Sequence, residues 1–372
     1  MDIASKDNAS SNATSFGESL KASLHGRSFN NSTASAKEDS IVDAAVTQMI
    51  AGFSSIDYSA PVVIPPTPIN PGGIVSAAKT YNNQSGLTIT GLSFDGSKKS
   101  VDLLVLNNCT NCHITLCRFS NTNGISVRLN NCVNCTVDYC FFTMVNFGVM
   151  ATNCTGTKVN FNQGLNLWAP VKYNNNFAHF IQYVNCSGAN QQVNDNILVC
   201  QRGIAVHAHD IISIFQTSGT SASHFQIKRN KIKGGQVDGG WPNAGDTGTG
   251  LTAPDVSGSY YDITDNICVN SGVNGLIGVC TGSNLLYDNN IVVCDDKTMK
   301  VSYDGFTFTG TKTNTVVSNN RARWIRPDGT YLGLWLGKSG QTTQSGVTFT
   351  NNNWNDTTLN SNIIPDNIIS YK

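Results

Sequence analysis

Leu103-Leu104-Val105-Leu106-Asn107-Asn108-Cys109-Thr110-Asn111-Cys112-His113-Ile114-Thr115-Leu116-Cys117-Arg118-Phe119 is answered, one period later, by Ser126-Val127-Arg128-Leu129-Asn130-Asn131-Cys132-Val133-Asn134-Cys135-Thr136-Val137-Asp138-Tyr139-Cys140-Phe141-Phe142. Each of Cys109, Cys112 and Cys117 recurs 23 residues on, and Cys154 follows Cys132 by 22. Short alternating apolar runs between Asn, Gly and Thr turns read as strands, because a strand buries every second side chain. A fixed period of strands reads as a solenoid, in which equivalent residues of successive coils lie about 4.8 Å apart.

A second pattern runs further down the chain. It pairs an apolar residue with Asn or Cys three positions later: Ile114/Cys117, Val137/Cys140, Val159/Asn162, Val193/Asn196, Ile227/Asn230, Ile263/Asn266, Leu286/Asn289, Val317/Asn320 and Phe349/Asn352. The apolar member is expected to point inward. The amide is expected at a corner, bonded to its counterparts above and below as an Asn ladder. The uneven spacings imply minimal coils alternating with coils that carry inserted loops, where function concentrates. The fold predicted is all-β: a right-handed parallel β-helix of about ten coils over residues 71–372. A leucine-rich solenoid lacks its helical half here, and a β-sandwich would not repeat one residue type at one phase.

Residues 1–70 differ. Asn8 to Ser15 and Ser28 to Ser40 are polar and low in complexity, which predicts a flexible Ser/Asn-rich arm. Ile41 to Phe53 has the spacing of a short capping helix, and Pro61 to Pro71 reads as an extended linker.

Charge is balanced, with 24 basic and 24 acidic side chains in 372 residues, and only 13% of residues are charged. Such a chain has no overall pull toward nucleic acid or an anionic membrane. No apolar run is long enough to span a bilayer. Met1-Asp2-Ile3-Ala4-Ser5 lacks the basic and apolar regions of a signal peptide. The expected setting, extracellular, at a cell surface or on a virion, then requires another route of export or a signal already removed. The 12 cysteines follow the coil period, so they are expected as stacked small hydrophobes, with scattered disulfides as the alternative. Zinc is not expected, since stacking already explains the two Cys-x-x-Cys pairs.

From Leu87 to Ile364 the chain resembles the pectin-lyase-like superfamily of right-handed parallel β-helix proteins, through Ile114-Thr115-Leu116-Cys117-Arg118-Phe119 and the Asn-rich corners. That superfamily includes polysaccharide lyases, glycoside hydrolases, epimerases, phage tailspikes and passive adhesins. A narrower likeness is to secreted bacterial right-handed β-helix repeat proteins, through His209-Asp210-Ile211-Ile212-Ser213-Ile214-Phe215-Gln216-Thr217-Ser218-Gly219-Thr220, Gly234-Gly235 and Asp246-Thr247-Gly248-Thr249-Gly250. Here His209 stands where that pattern has an acidic residue, and Gln216 where it has lysine. The resemblance implies a partner that is a polysaccharide or cell-surface glycan, and it is compatible with an oligomer.

Residues 168–265 hold the densest set of titratable groups. Cleavage of a uronic polymer by elimination needs a base and a cation or calcium for the developing charge. His209 or Lys172 is the candidate base, Asp210 its orienting partner and Arg202 the electrostatic clamp. Hydrolysis needs two carboxyl groups, for which Asp210 with Asp238 or Asp246 is the candidate set. Trp168, Tyr173, Phe177, Phe180 and Trp241 are candidates for stacking on sugar faces, and His207 for substrate contact. Set against these roles, His207-Ala208-His209-Asp210 also reads as a strand whose alternating polar residues simply face solvent while Val206 and Ala208 face inward. Asp238 and Asp246 read equally as loop turns. No cofactor is otherwise expected; Asp295-Asp296 as half of a calcium site reads equally as a turn. A glycan-engaging protein, a lyase, epimerase or hydrolase, is therefore weighed against a non-catalytic adhesive or tailspike-like fibre.

Overall fold

A computed structural model describes residues 75–168, 178–201, 208–235, 248–278, 281–296 and 303–369. The chain divides between Ile64 and Pro65 into two units, and the first of these lies outside the described residues. The arm expected over residues 1–70 and the helix expected over 41–53 therefore lie outside them too. Among the described residues no helix is long and apolar enough to cross a membrane.

The second unit is the right-handed parallel β-helix that the repeat predicts. Each coil lays down three strands. Those of the first face begin with Lys79–Asn82 and Leu104–Asn107, and those of the second with Thr88–Thr90 and His113–Thr115. Those of the third begin with Val75–Ser76 and Ser93–Lys99 and continue with Gln163–Leu167 and Ile197–Val199. The second face is a ten-stranded parallel sheet, so ten coils are described. The other two faces join into one 18-stranded sheet, because Arg118–Asn130 and Phe141–Thr152 run unbroken around their shared corner. Further along, that corner carries the long connections, between Leu167 and His179, Val199 and Asp210, Lys233 and Thr249, and Cys294 and Asp304.

Inward side chains form columns. Phe94, Phe119 and Phe142 stack with centroids 5.1 Å apart at each step. The stack ends at Gly164, the next residue in register. There Phe180 turns in edge-on to Phe142, and a Cβ on Gly164 would lie 2.8 Å from its ring. Phe180 is thus core, 1% exposed, and not the sugar platform that its place in the sequence suggested.

The corner between the second and third faces repeats a two-residue device. The first residue takes a left-handed conformation: Leu116, Tyr139, Phe161, Asp195, Arg229, Asp265, Asn289, Asn319 and Asn351 all have φ between 49° and 59°. The second points inward: Cys117, Cys140, then Asn162, Asn196, Asn230, Asn266, Asn290 and Asn320. This corrects the predicted ladder at one rung. Tyr287, not Leu286, is in register with Ile263 and Val317, so the ladder amide is Asn290. Asn289 is the left-handed residue outside it and donates to Asp265 Oδ1 at 2.7 Å. Two apolar residues in succession, Leu285-Leu286, hid the phase.

Each ladder amide works in three directions. Asn230 Nδ2 donates to Val193 O at 2.8 Å and to Asn266 Oδ1 at 2.9 Å, while its Oδ1 accepts the Asn196 backbone N–H at 3.1 Å. Ten cysteines from Cys109 to Cys268 are free and buried among the described residues, as stacking predicts, and Cys294 is buried with them.

Candidate functional site

The corner crowded by long connections is also where the first-face strands begin. Register places Asp210, Thr249, Asn274 and Asp304 in one column across four successive coils, and His179 Nδ1 meets the Asp210 backbone from the coil before. His179, Asp210, Thr249 and Asp304 are buried, each 4–7% exposed. The column borders the apolar one of Ile181, Ile212, Leu251, Leu276 and Phe306. Polar side chains in such a place must find partners, since an unpaired buried polar group costs on the order of 1–3 kcal/mol.

Asp210 finds several. Thr252 Oγ1 donates to its Oδ1 at 2.9 Å, and His209 Nδ1 lies 3.2 Å from its Oδ2. Burial opposes its ionisation, yet the bond to His209 and the charge that ring carries when protonated, the proximity of His179 and the Thr252 hydroxyl outweigh it. The carboxyl is held below its ordinary value of 3.8. Strand alternation, with Ala208 inward and His209 outward, holds for the described part of this stretch: Ala208 and Asp210 are buried, whereas the side chain of His209 is 40% exposed.

His179 packs between the Phe147 ring at 5.0 Å and the His209 ring at 5.8 Å. Its Nδ1 faces the Asp210 carbonyl oxygen, an acceptor, so that nitrogen carries the proton. Burial lowers its pKa to about 4, so the ring is neutral at ordinary pH. Asp255, at the far end of strand Thr249–Asp255, completes the cluster. Burial, reinforced by the negative charge of Asp210, pushes its carboxyl up to about 6.

Close backbone approach supports this arrangement. Gly248 and Thr249 both donate their N–H to His209 O, at 2.9 and 2.8 Å. Gly248 in turn is overlain by Gly272, whose φ of 140° and whose missing Cβ, which would fall 1.1 Å from Gly248 O, leave room for no other residue.

At the other end of the column Asp304 accepts from Thr307 Oγ1, and from the Asn274 amide at 3.1 Å once that amide is turned with its nitrogen toward the acid. Burial pushes Asp304 up to about 6, against the Thr307 bond and the Arg326 charge.

Of the other predicted residues, Trp168 is half-buried and carries Lys98 Nζ 5.3 Å from its ring centroid. Lys172, Arg202, His207, Asp238, Asp246, Tyr173, Phe177 and Trp241 lie outside the described residues. Asp295, half of the considered calcium pair, instead accepts the Ser361 N–H at 2.8 Å and bonds Asn270. Among the described residues no cluster of His, Cys, Asp and Glu is arranged to hold a metal ion.

Sequence reasoning missed Asp255, Thr252 and Asp304. Ala253-Pro254-Asp255 reads as a turn, and only a shift of register opposite Ser213 to Phe215 reveals its place. The column itself has no constant period. A signal was nevertheless present: Thr249-Gly250-Leu251, Asn274-Gly275-Leu276 and Asp304-Gly305-Phe306 repeat a polar residue, Gly and a large apolar residue at the start of a strand.

No protein-family model and no curated protein matches the chain. Solved structures do. A tailspike protein of E. coli bacteriophage HK620 in complex with a pentasaccharide matches at 11% identity and a TM-score of 0.41, over 76% of this chain and 59% of that one. The chain thus spans less than two thirds of the tailspike it matches. An exopolygalacturonase from Thermotoga maritima matches at 10% identity and 0.37, over 75% and 83%. The catalytic domain of a GH87 α-1,3-glucanase in complex with nigerose matches at 12% and 0.31, over 76% and 64%.

Proposed function

We propose that the chain engages a polysaccharide at the corner that bears the long connections, and cleaves it by general acid–base catalysis. A single observation carries this reading: within one cluster, Asp210 is held ionised while Asp255 is pushed up to about 6. Carboxyl groups driven apart in this way can take opposite roles in proton transfer. His209, exposed and oriented by Asp210, acts as base: in hydrolysis it takes a proton from the water that bonds to the sugar carbon as the glycosidic bond breaks, and in elimination it takes the proton α to a carboxylate as the double bond forms. Half-buried Asp255, protonated below about pH 6, supplies the proton to the departing sugar oxygen. Asp210 is a positioning residue, being too enclosed to meet substrate. This reading places the protein outside the cell or on a particle, where such polymers are met.

One observation favours a second reading, a non-catalytic glycan-binding fibre. Both Asp210 oxygens are already bonded and its side chain is buried, as a purely structural acid would be.

The test is a polysaccharide panel, scored both for new reducing ends and for the ultraviolet absorbance of elimination products. Cleavage is expected to fall as pH rises through about 6. Asp255→Asn should lower turnover by about a hundredfold or more, with glycan binding retained. Binding without turnover by the unaltered protein across the panel selects the fibre. Full turnover by Asp255→Asn removes the acid from the scheme.

A further inference from the structure

The third face has an outer surface that the chain itself covers. Its outward residues, in register from coil to coil, are Leu165, Val199, Lys233, Val269, Val293 and Arg323. This track is two apolar patches separated by one lysine and ended by one arginine. A soluble solenoid does not leave such patches open to water, and Val199, Val269 and Val293 are at most 3% exposed.

What covers them is the segment Asp356–Ile369, which runs back along the coils. It contains no strand and one short 3-10 turn, Ser361–Ile363, so it is held by its side chains and by the coils' cations. Its sequence matches the track step for step. Asp356 pairs with Arg321 at 2.6 Å, and Arg323 donates to the Leu359 carbonyl. Leu359 and Ile364 pack with Val269 and Val293. Lys233, between the patches, donates to Ile364 O at 2.6 Å and pairs with Asp366 at 2.6 Å. Ile369 then packs with Phe141, Ile197 and Val199. The two isoleucine pairs, Ile363-Ile364 and Ile368-Ile369, are spaced to straddle the lysine.

We propose that the outer track is a peptide-binding site and that Asp356–Ile369 is its ligand in cis, a clasp that detaches and reseats as a unit without unwinding the coils. Apolar residues at spaced positions supply affinity, while Asp366 opposite Lys233 and Asp356 opposite Arg321 set the register. A slip by one coil would place an isoleucine on Lys233 and an aspartate on a valine. The inner faces of the same strands, Leu198, Ile232, Cys268, Val292 and Ala322, belong to the core and take no part. The coils therefore keep their own packing when the clasp leaves.

The experiment uses a chain ending at Asn355 and a labelled synthetic peptide of residues 356–372. The shortened chain is expected to keep its β-sheet circular dichroism, to bind an apolar dye that the full chain does not, and to bind the peptide saturably by fluorescence anisotropy. Lys233→Glu in the shortened chain should weaken the peptide about tenfold, and the peptide carrying Asp366→Lys should recover that loss only on this variant. A folded, shortened chain that fails to bind the peptide, or a Lys233→Glu variant that binds it unchanged, overturns the proposal. Amide exchange on the full chain serves if the shortened one does not fold. The Ser361 N–H, bonded to Asp295, should then exchange well before the ladder amides at Asn230 and Asn266. Exchange of all of them together would show the clasp to be inseparable from the coils.

Discussion

The first coils and the later ones are fastened by different chemistry at the same position. At the corner between second and third faces, Cys117 Sγ donates to Thr115 O at 3.3 Å and to Ile89 O at 3.7 Å. Asn162 Nδ2, two rungs on, donates to the equivalent carbonyls, Asn160 O at 3.0 Å and Val137 O at 2.9 Å. Between them the Cys140 N–H donates to Asn162 Oδ1 at 3.0 Å, so the column continues through the change of residue. A thiol covers the same backbone sites with one weakly polar atom that an amide covers with a strong donor and a strong acceptor. Thiols fasten the coils that turn their corners tightly. Amides fasten the later coils, which include those with the long connections and the buried polar column. The stronger fastening lies where the coil is most heavily loaded.

The amide side of this comparison predicts the largest effect. Asn230→Leu keeps the branched shape but strips Val193 O, the Asn196 N–H and Asn266 Oδ1 of a buried partner at once. Chemical unfolding should show a loss of about 3–4 kcal/mol. A loss below about 1 kcal/mol would mean that the amide ladder fastens no better than thiols do, and the contrast would collapse.

The load itself can be measured next. Asp304, 5% exposed, ionises near pH 6 in the fold against 3.8 for the free side chain. A raised carboxyl pKa favours the folded state below about pH 4, and that advantage is lost as pH rises through about 6. The gap between the two values corresponds to about 2–3 kcal/mol of stability. Asp304→Asn keeps an acceptor for Thr307 and removes the charge. It should therefore stabilise the protein by about that amount at pH 8 and by nearly nothing at pH 4. Equal melting temperatures for variant and parent at pH 8 would show that the polar column imposes no load.

How far these features were legible depends on whether they repeat. Cys109, Cys132 and Cys154 sit almost at a constant interval, and stacking fixes their phase, so both fold and thiol columns follow from the sequence alone. The amide ladder was legible to within one residue, failing at Asn289, where two leucines precede the corner and either phase buries an apolar side chain. The site was legible only in part. His209 and Asp210 stand out as adjacent titratable groups, but their partners come from other coils across connections of unequal length. No interval in the sequence joins Asp210 to Thr252 or Asp255. That juxtaposition exists only once parallel pairing has set Asp210 against Thr249. The clasp was illegible for a similar reason: Asp356–Ile369 has no period of its own, and its meaning lies in the outward residues of many earlier coils, from Phe141 to Arg323.

The smallest effect is the sharpest test of what the thiols do. In the column Cys132, Cys154, Cys186, each N–H donates to the next sulfur, at 3.3 Å in both steps. The following rung is Thr217, whose Oγ1 accepts the Cys186 N–H at 3.2 Å and donates to Phe215 O at 3.0 Å. The fold itself thus substitutes a hydroxyl for a thiol without breaking the column. Cys132 Sγ donates to Leu106 O and Asn130 O, both at 3.4 Å, and a serine hydroxyl finds those carbonyls in the same directions. Cys132→Ser should change stability by less than about 0.5 kcal/mol, because a shorter bond offsets the lost apolar volume. Cys132→Ala, which leaves the carbonyls bare, should cost about 1 kcal/mol. If serine is as costly as alanine, the sulfur acts there by bulk and not by bonding.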